Sequence, residues 1–269
     1  AMPPFKVTCD ANVYKGCYYL GDLEQELGQE KSAKKHFIKA CDNNVYEGCN
    51  GLGDLAKKAK NIKLATYYYK MACKKDISLA CFSLAKIKEK KTKKDKSDEI
   101  AKLYRKSCVG DIYEGCYAAG DYYSNANNKD DARVLLRKAC SGRYKPACYD
   151  LAEIEFHRDK IDIANEYYKK SCEINNPGGC YVLADIYAKD GKSKQSLALH
   201  EKLCAKNFAK SCTVLGHIEL DLEDLSESAR HYTKSCFLGD DIGCNRLSEV
   251  SKKAKDKKSF YRHFVASCG

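Results

Sequence analysis

The chain of 269 residues has no tryptophan, only four prolines and two methionines, and no apolar run of the length that a membrane-spanning helix needs. The scarcity of proline leaves helices uninterrupted. Together with 32% charged residues and twenty tyrosines, it favours a soluble, helix-rich protein. No export signal is visible, but Ala1 and Met2 are typical of a cloning remnant, so we expect that a signal peptide has been removed.

Arginine is also scarce, with eight residues against forty lysines, although the formal net charge is +11. Proteins that read nucleic-acid bases use arginine and stacked aromatic side chains. The sequence has no such cluster, so we predict no nucleic-acid partner and no transmembrane segment.

Cysteine, by contrast, is abundant, and sixteen of the seventeen cysteines form eight C-x7-C pairs. The first cysteines recur every 32 residues, with one step of 35, which is the signature of a repeat array. Structural zinc sites favour C-x(2–4)-C, and the sequence has no C-x-x-C redox motif and no haem motif, so we predict neither a metal nor a cofactor. An identical pair in every repeat favours local disulfides, with free thiols in a cytosolic protein as the alternative. The predicted disulfide cysteines are Cys9, Cys17, Cys41, Cys49, Cys73, Cys81, Cys108, Cys116, Cys140, Cys148, Cys172, Cys180, Cys204, Cys212, Cys236 and Cys244.

Each repeat contains two amphipathic patterns. The stretch after each second cysteine, such as CYVLADI at 180, predicts a helix A with leucine and a second apolar residue on one face, and a small residue between them. The stretch before each first cysteine, such as SAKKHFIKAC, predicts a helix B with lysines on its outer face. Gly28 and Gly191 suit helix ends between A and B.

A disulfide between such helices would pin the end of one helix B to the start of the next helix A. Hairpins of this kind bury their apolar faces only by stacking, so we predict an all-α, α/α superhelical solenoid. The predicted organisation is an N-terminal stub over 1–11 and eight repeats over 12–43, 44–75, 76–110, 111–142, 143–174, 175–206, 207–238 and 239–269.

The stretches "YYKKSC…GGCYVLADIY" and "HFIKAC…EGCNGLGDL" resemble the Sel1-like repeats of the Helicobacter cysteine-rich proteins, over about residues 5–269. The resemblance implies a right-handed superhelix related to tetratricopeptide arrays, one disulfide per repeat, and a periplasmic or secreted location. That family typically has longer repeats, with a longer, glycine-rich turn between helices A and B.

By the same resemblance, helix A lines the concave face of the array. The residue after each second cysteine and the residue four positions later share one face of helix A, and acids take the second position in six of eight repeats. This pattern predicts a groove for an extended peptide or a basic segment of a protein partner. The alternative is that the acids cap turns or pair with helix B lysines. The predicted groove residues are Tyr18, Asp22, Asn50, Asp54, Tyr117, Asp121, Tyr149, Glu153, Tyr181, Asp185, His217, Asn245 and Glu249.

Two other functions stay open. The resemblance carries a penicillin-binding or weak β-lactamase label, whose chemistry needs S-x-x-K, S-D-N and K-T-G. The chain has S-x-x-K at Ser32–Lys35 and Ser83–Lys86 but lacks the other two motifs, so we predict no catalytic residue and favour a protein that is not an enzyme. The third candidate is an adhesive protein that uses its lysine-rich face.

Three details complete the sequence-based expectations. The step of 35 comes from KIKEKKTKKDK, residues 86–96, which we predict to be a solvated loop between helices A and B. His36, His231 and His263 are expected to be half-buried, structural residues of helix B. Cys268 has no partner in phase, which leaves three alternatives: a sequence cut before a capping helix, a chain that ends in a free or small-molecule-capped thiol, and a dimer linked through Cys268.

Overall fold

The computed structural model describes residues 2–92 and 98–253. These residues form sixteen α-helices and no strand, which confirms the all-α prediction. The helices are α1 (Met2–Asp10), α2 (Tyr14–Glu26), α3 (Glu30–Asp42), α4 (Tyr46–Lys58), α5 (Ile62–Lys74), α6 (Ser78–Thr92), α7 (Asp98–Val109), α8 (Tyr113–Asn125), α9 (Lys129–Ser141), α10 (Lys145–Phe156), α11 (Ile161–Glu173), α12 (Pro177–Lys189), α13 (Ser193–Ala205), α14 (Ala209–Asp221), α15 (Leu225–Phe237) and α16 (Asp241–Lys253).

The 32-residue period arises from two helices of 13 residues and two links of three residues. In most links the middle residue has a positive φ, in the left-handed region of backbone conformation. This single residue reverses the direction of the chain between two helices. Gly28 (φ 76°) and Gly191 (φ 74°) occupy this position, so their predicted helix-ending role is confirmed. Asn44 (φ 65°) and Asn175 (φ 60°) do the same between helices B and A, because asparagine tolerates this conformation better than most residues.

Each described disulfide joins the last turn of one helix B to the first turn of the next helix A. Cys41 lies in α3 and Cys49 in α4, and their Cα atoms are 4.8 Å apart. The bonds therefore connect successive hairpins rather than the two helices of one hairpin. Cys140 and Cys148 are also disulfide-bonded. Seven bonds between the other cysteines have Cα–Cα distances of 4.3–4.8 Å. They are Cys9–Cys17, Cys41–Cys49, Cys73–Cys81, Cys108–Cys116, Cys172–Cys180, Cys204–Cys212 and Cys236–Cys244.

Small residues of helix A permit the close approach of the helices B that come before and after it in the chain. A Cβ atom built on Gly48, which precedes Cys49, would lie 2.7 Å from the Cβ of Ala40 in α3. One turn later, a Cβ on Gly53 would lie 2.5 Å from the ring of Tyr69 in α5. The small position predicted within helix A is therefore filled by a large side chain of helix B.

The chain divides into two compact units, Ala1–Ala147 and Cys148–Gly269. In the first unit, consecutive helices pack as hairpins, and the A helix α4 also contacts the A helices α2 and α6. Phe37, Leu52 and Tyr69 lie in the core. In the second unit, α14 contacts α15 and α16, and Tyr232 and Val250 are buried between them. The core of each unit thus comes from the faces predicted for helices A and B.

The lysine-rich stretch at 86–96 is not a loop up to residue 92, so that prediction was wrong. Helix α6 continues through it to Thr92, because lysine is a good helix former. Ile87 lies in the core and is 7% exposed, and Glu89 accepts a hydrogen bond from the hydroxyl of Tyr104 in α7 at 2.7 Å. Lys88 pairs with Glu99 of α7 across a distance of 2.8 Å. Residues 93–96 of the stretch, His263 and Cys268 lie outside the described residues.

Within the described residues, every helix is too short or too polar to span a lipid bilayer.

Candidate functional site

The predicted groove residues lie one helical turn apart on the A helices. Those of the first unit are on α2, α4 and α8, and those of the second unit are on α10, α12, α14 and α16. Most of these side chains are half-buried. Asn50 is buried, whereas Asn245 and Glu249 are exposed.

Asp54 is the best-defined carboxylate of the first unit. The hydroxyl of Tyr69 in α5 donates a hydrogen bond to its Oδ1 at 2.6 Å, and the amide of Asn50 donates to its Oδ2 at 3.1 Å. Burial raises the pKa of Asp54 above its ordinary value, and the charge of Asp22 on the neighbouring A helix also acts to raise it. Asp22 and Asp54 lie on the A helices α2 and α4, which are in contact with each other.

Tyrosine rings accompany these acids in the first unit. The ring of Tyr18 packs against Phe37 of α3 with its centroid 6.3 Å away. Burial raises the pKa of the Tyr18 hydroxyl, and the charges of Asp22 and Asp54 raise it further. Helices α2 and α4 are in contact with each other, and we refer to their predicted groove residues Tyr18, Asp22, Asn50 and Asp54 as the strip.

The same arrangement recurs in the second unit with other side chains. The hydroxyl of Tyr168 in α11 donates a hydrogen bond to Glu153. The Nε2 atom of His200 lies 3.9 Å from Asp185, and the ring of Tyr181 packs against His200 with centroids 5.6 Å apart. Burial lowers the pKa of His200 and raises that of Asp185, so both groups are less readily charged than in water.

The remaining groove residues have local partners. The ring of His217 packs against Tyr232, with centroids 5.4 Å apart, and burial lowers the pKa of His217. Glu249 pairs with Arg246 on its own helix at 2.7 Å. Asp121 accepts a hydrogen bond from Asn125 at 3.1 Å, and Tyr117, Tyr149 and Asn245 complete the predicted set on their A helices.

The partners on helix B were missed in the sequence, although they occupy one register position. The sequence offers helix B lysines as alternative partners of these acids. Instead, Asp54, Glu153 and Asp185 contact a tyrosine or a histidine of helix B. This residue lies four positions before the cysteine in the last turn of helix B. The recurrence of an aromatic residue at this position was the available signal. The position is filled by Phe37, Tyr69, Tyr104, Leu136, Tyr168, His200 and Tyr232.

Proteins with the same fold are found among the solved structures. No family model and no curated protein sequence matches the chain. Among solved structures, c5321, a protective antigen present in uropathogenic Escherichia coli strains and displaying an SLR fold, aligns with 98% of this chain at 20% identity and a TM-score of 0.81. The chain spans 62% of the length of that protein. The Sel1 repeat protein from Oxalobacter formigenes aligns with 87% of this chain, over 98% of its own length, at 18% identity and a TM-score of 0.54.

The chain has the Sel1-like repeat fold. The resemblance seen in the sequence is thereby confirmed at the level of the fold. A related architecture, the C-terminal part of a TPR repeat-containing protein from Cytophaga hutchinsonii, aligns with 86% of the chain, over 99% of its own length, at 16% identity and a TM-score of 0.52. The many disulfides between the Sel1-like hairpins indicate an oxidising environment outside the cytoplasm.

The two S-x-x-K sequences lie on helices of the Sel1-like hairpins. Ser32 donates a hydrogen bond to Glu24 at 2.7 Å, and Ser83 is buried beside Tyr69. Lys86 forms an ion pair with Glu114 at 2.6 Å, which raises the pKa of the lysine. A lysine that acts as a general base needs the opposite shift.

The raised pKa of Asp54 predicts a dependence of stability on pH. The folded state retains the proton of Asp54 at a pH where the unfolded state, with the ordinary pKa of 3.8, has lost it. The contribution of Asp54 to the free energy of unfolding is therefore full below pH 3.8 and falls as pH rises through the folded-state pKa. We expect the wild-type protein to lose stability relative to Asp54→Asn across this window, measured by urea unfolding from pH 3.5 to 7. An equal difference at every pH would contradict the shift, and the exposed Asp76→Asn serves as the control.

Proposed function

We propose that the chain is a binding scaffold of the periplasm or the extracellular space. It holds an extended, basic peptide segment of a protein partner against the acids and tyrosines of its A helices. Its Sel1-like repeat fold supports this role, because stacked repeats present extended surfaces that are suited to binding a continuous segment of a partner. The disulfides support the location.

The observation that carries the proposal is the continuity of the strip on α2 and α4. Helices α2 and α4 are in contact, and the charge of Asp22 acts to raise the pKa of Asp54. The charges of both acids also act to raise the pKa of Tyr18. A ligand that follows the strip therefore meets a carboxylate in each of two successive repeats, with the ring of Tyr18 beside the first. Lysine and arginine side chains complement both features, through ion pairs and through cation–π contacts.

Helix B makes the strip rigid. Tyr69 holds Asp54 and Tyr168 holds Glu153 through hydrogen bonds from buried rings, so the carboxylates are fixed before a ligand arrives. Groups that are already ordered lose less conformational entropy on binding, which favours affinity. These internal bonds are therefore compatible with a binding role.

The spacing of the strip defines the ligand more closely. Packed helices lie about 8–10 Å apart, and an extended peptide covers that distance in about three residues. A segment with lysine or arginine at every third position would place one cation near the acid of each successive A helix. We take such a segment as the probe ligand.

The test measures the binding of a fluorescein-labelled peptide with lysine at every third position to the oxidised protein, by fluorescence anisotropy. We expect Asp22→Asn with Asp54→Asn to weaken binding at least tenfold, because each charge-assisted hydrogen bond contributes about 1.5–3 kcal/mol. The matched control is Asp76→Asn with Asp111→Asn, which removes the same charge from exposed acids that pair with Lys106 and Lys138. Equal affinities of the two double variants, or no binding by the wild type, would contradict the proposal. Circular dichroism checks that each variant is folded.

A further inference from the structure

A cluster of two carboxylates and one imidazole lies between α14 and α15 of repeat 7, and none of its three residues belongs to the predicted groove set. Glu219 on α14 faces Glu227 and His231 on α15, and the ligand atoms of the three side chains all lie within 4.8 Å of one another. Glu227 and His231 are one turn apart, so they share one face of α15. His231 and Glu219 are largely shielded from solvent, with side chains that are 12% and 22% exposed.

We propose that Glu219, Glu227 and His231 form a binding site for a divalent transition-metal ion, with Zn²⁺ as the best-matched ion. Imidazole nitrogen and carboxylate oxygen are ordinary zinc ligands, at distances of about 2.0–2.2 Å from the metal. Tetrahedral geometry then separates the ligand atoms by about 3.4 Å. The present spacing reaches this value through small rotations of three side chains on two packed helices, with water as the fourth ligand.

The hydrogen bond between His231 and Glu219 prepares the site. Nδ1 of His231 lies 2.6 Å from Oε2 of Glu219, so the ring already points one nitrogen at the carboxylate cluster. A metal ion would take the place of the shared proton, which is released on binding. Glu219 and His231 would bind the ion from their present positions on α14 and α15.

Arg230 is the competitor for the third ligand. Its Nε atom donates a hydrogen bond to Glu227 at 2.8 Å, and its Nη2 atom lies 3.3 Å from Nε2 of His231. The pair of Arg230 and Glu227 is 46% exposed on each side, and such surface pairs contribute little to stability. A metal ion can therefore displace the guanidinium into solvent at small cost.

Repeat 1 contains the same arrangement without the third ligand. Nδ1 of His36 lies 2.6 Å from Oε2 of Glu24, and both residues occupy the register positions of His231 and Glu219. The position of Glu227 is taken by Ser32, whose hydroxyl donates to Glu24 at 2.7 Å. The chain thus provides an internal reference in which only the third side chain differs. The sequence-based expectation of no metal rested on the spacing of cysteines, which does not detect histidine and carboxylate ligands from two helices.

The experiment measures Zn²⁺ binding to the untagged, oxidised full chain by competition with a chromophoric chelator, with stoichiometry from equilibrium dialysis. We expect Glu227→Gln to weaken zinc binding at least tenfold and Arg230→Gln to tighten it severalfold. Ser32→Glu should add a second zinc equivalent in repeat 1. Circular dichroism checks that each variant is folded.

Equal zinc affinity of wild-type protein and Glu227→Gln, or no binding by the wild type, would overturn the site. A single equivalent in Ser32→Glu would contradict the role given to the third carboxylate. These readouts do not involve the peptide ligand, so they are independent of the proposed scaffold function.

Discussion

Replacing Tyr69 with alanine is expected to lower the free energy of unfolding by about 3–5 kcal/mol. The side chain is fully buried in the first unit, and its ring lies so close to Gly53 that a Cβ atom there would be 2.5 Å away. Truncation leaves a cavity between α4 and α5 and also removes the hydrogen-bond donor of the half-buried Asp54. Chemical denaturation followed by circular dichroism measures the loss.

Two neighbouring variants separate the cavity from the hydrogen bond. Tyr69→Phe keeps the ring and removes the hydroxyl, so we expect a smaller loss of about 1–3 kcal/mol. Tyr67→Ala is the control, because Tyr67 lies on the same helix but is 58% exposed, and its loss should stay within about 0.5 kcal/mol. If Tyr69→Ala costs no more than Tyr67→Ala, the packing of helix B against the small residues of helix A is wrong.

Removing one disulfide is the second large effect that we expect. In the double variant Cys41→Ala with Cys49→Ala, the free energy of unfolding should fall by about 2.6 kcal/mol, the chain-entropy value for a closed loop of about nine residues. Both cysteines are buried, and the bond joins α3 to α4 at the junction of two hairpins. Unfolding in urea under oxidising conditions measures the difference.

The reduced proteins provide the control for this variant. When wild type and variant are both reduced, neither has a closed loop, so their unfolding curves should nearly coincide. An oxidised variant as stable as the oxidised wild type would show that the disulfide does not hold successive hairpins together.

The fold could be predicted from the sequence because one physical requirement recurs in every repeat. The cysteines at a constant spacing of eight positions, the leucine of helix A and the small residue after it all follow from packing one hairpin on the next. The reversal of the chain at Asn44, Lys60 or Arg143 could not be predicted in this way, because these residues take a positive φ less readily than glycine. Most links from helix A to helix B and from helix B to helix A have three residues. A link this short requires the positive φ of its middle residue.

The lysine-rich stretch shows where composition misleads. Seven lysines predict a loop, yet α6 continues to Thr92, five residues past its last buried apolar residue, Ile87. Lysine is a good helix former, and Lys88 and Glu89 contact Glu99 and Tyr104 of α7. The charge of a segment therefore says little about its secondary structure when its residues are good helix formers.

Only the helix A residues of the candidate site could be predicted from the sequence. The carboxylates of helix A follow a visible pattern, whereas their partners Tyr69, Tyr168 and His200 depend on which residue of helix B lies opposite. The pairing of His231 with Glu219 was missed for the same reason, since it joins residues twelve positions apart on two antiparallel helices. Such contacts require the relative rotation of two helices, which periodicity alone does not give.

Non-reducing peptide mapping by mass spectrometry, on protein isolated from its native cell, is the most direct test of the disulfide-tied, extracytoplasmic scaffold. We predict linked peptides that join each first cysteine to the cysteine eight positions later, as in Cys41–Cys49 and Cys204–Cys212. Free thiols at these positions, or bonds between cysteines of different pairs, would contradict both the tie between hairpins and the oxidising compartment.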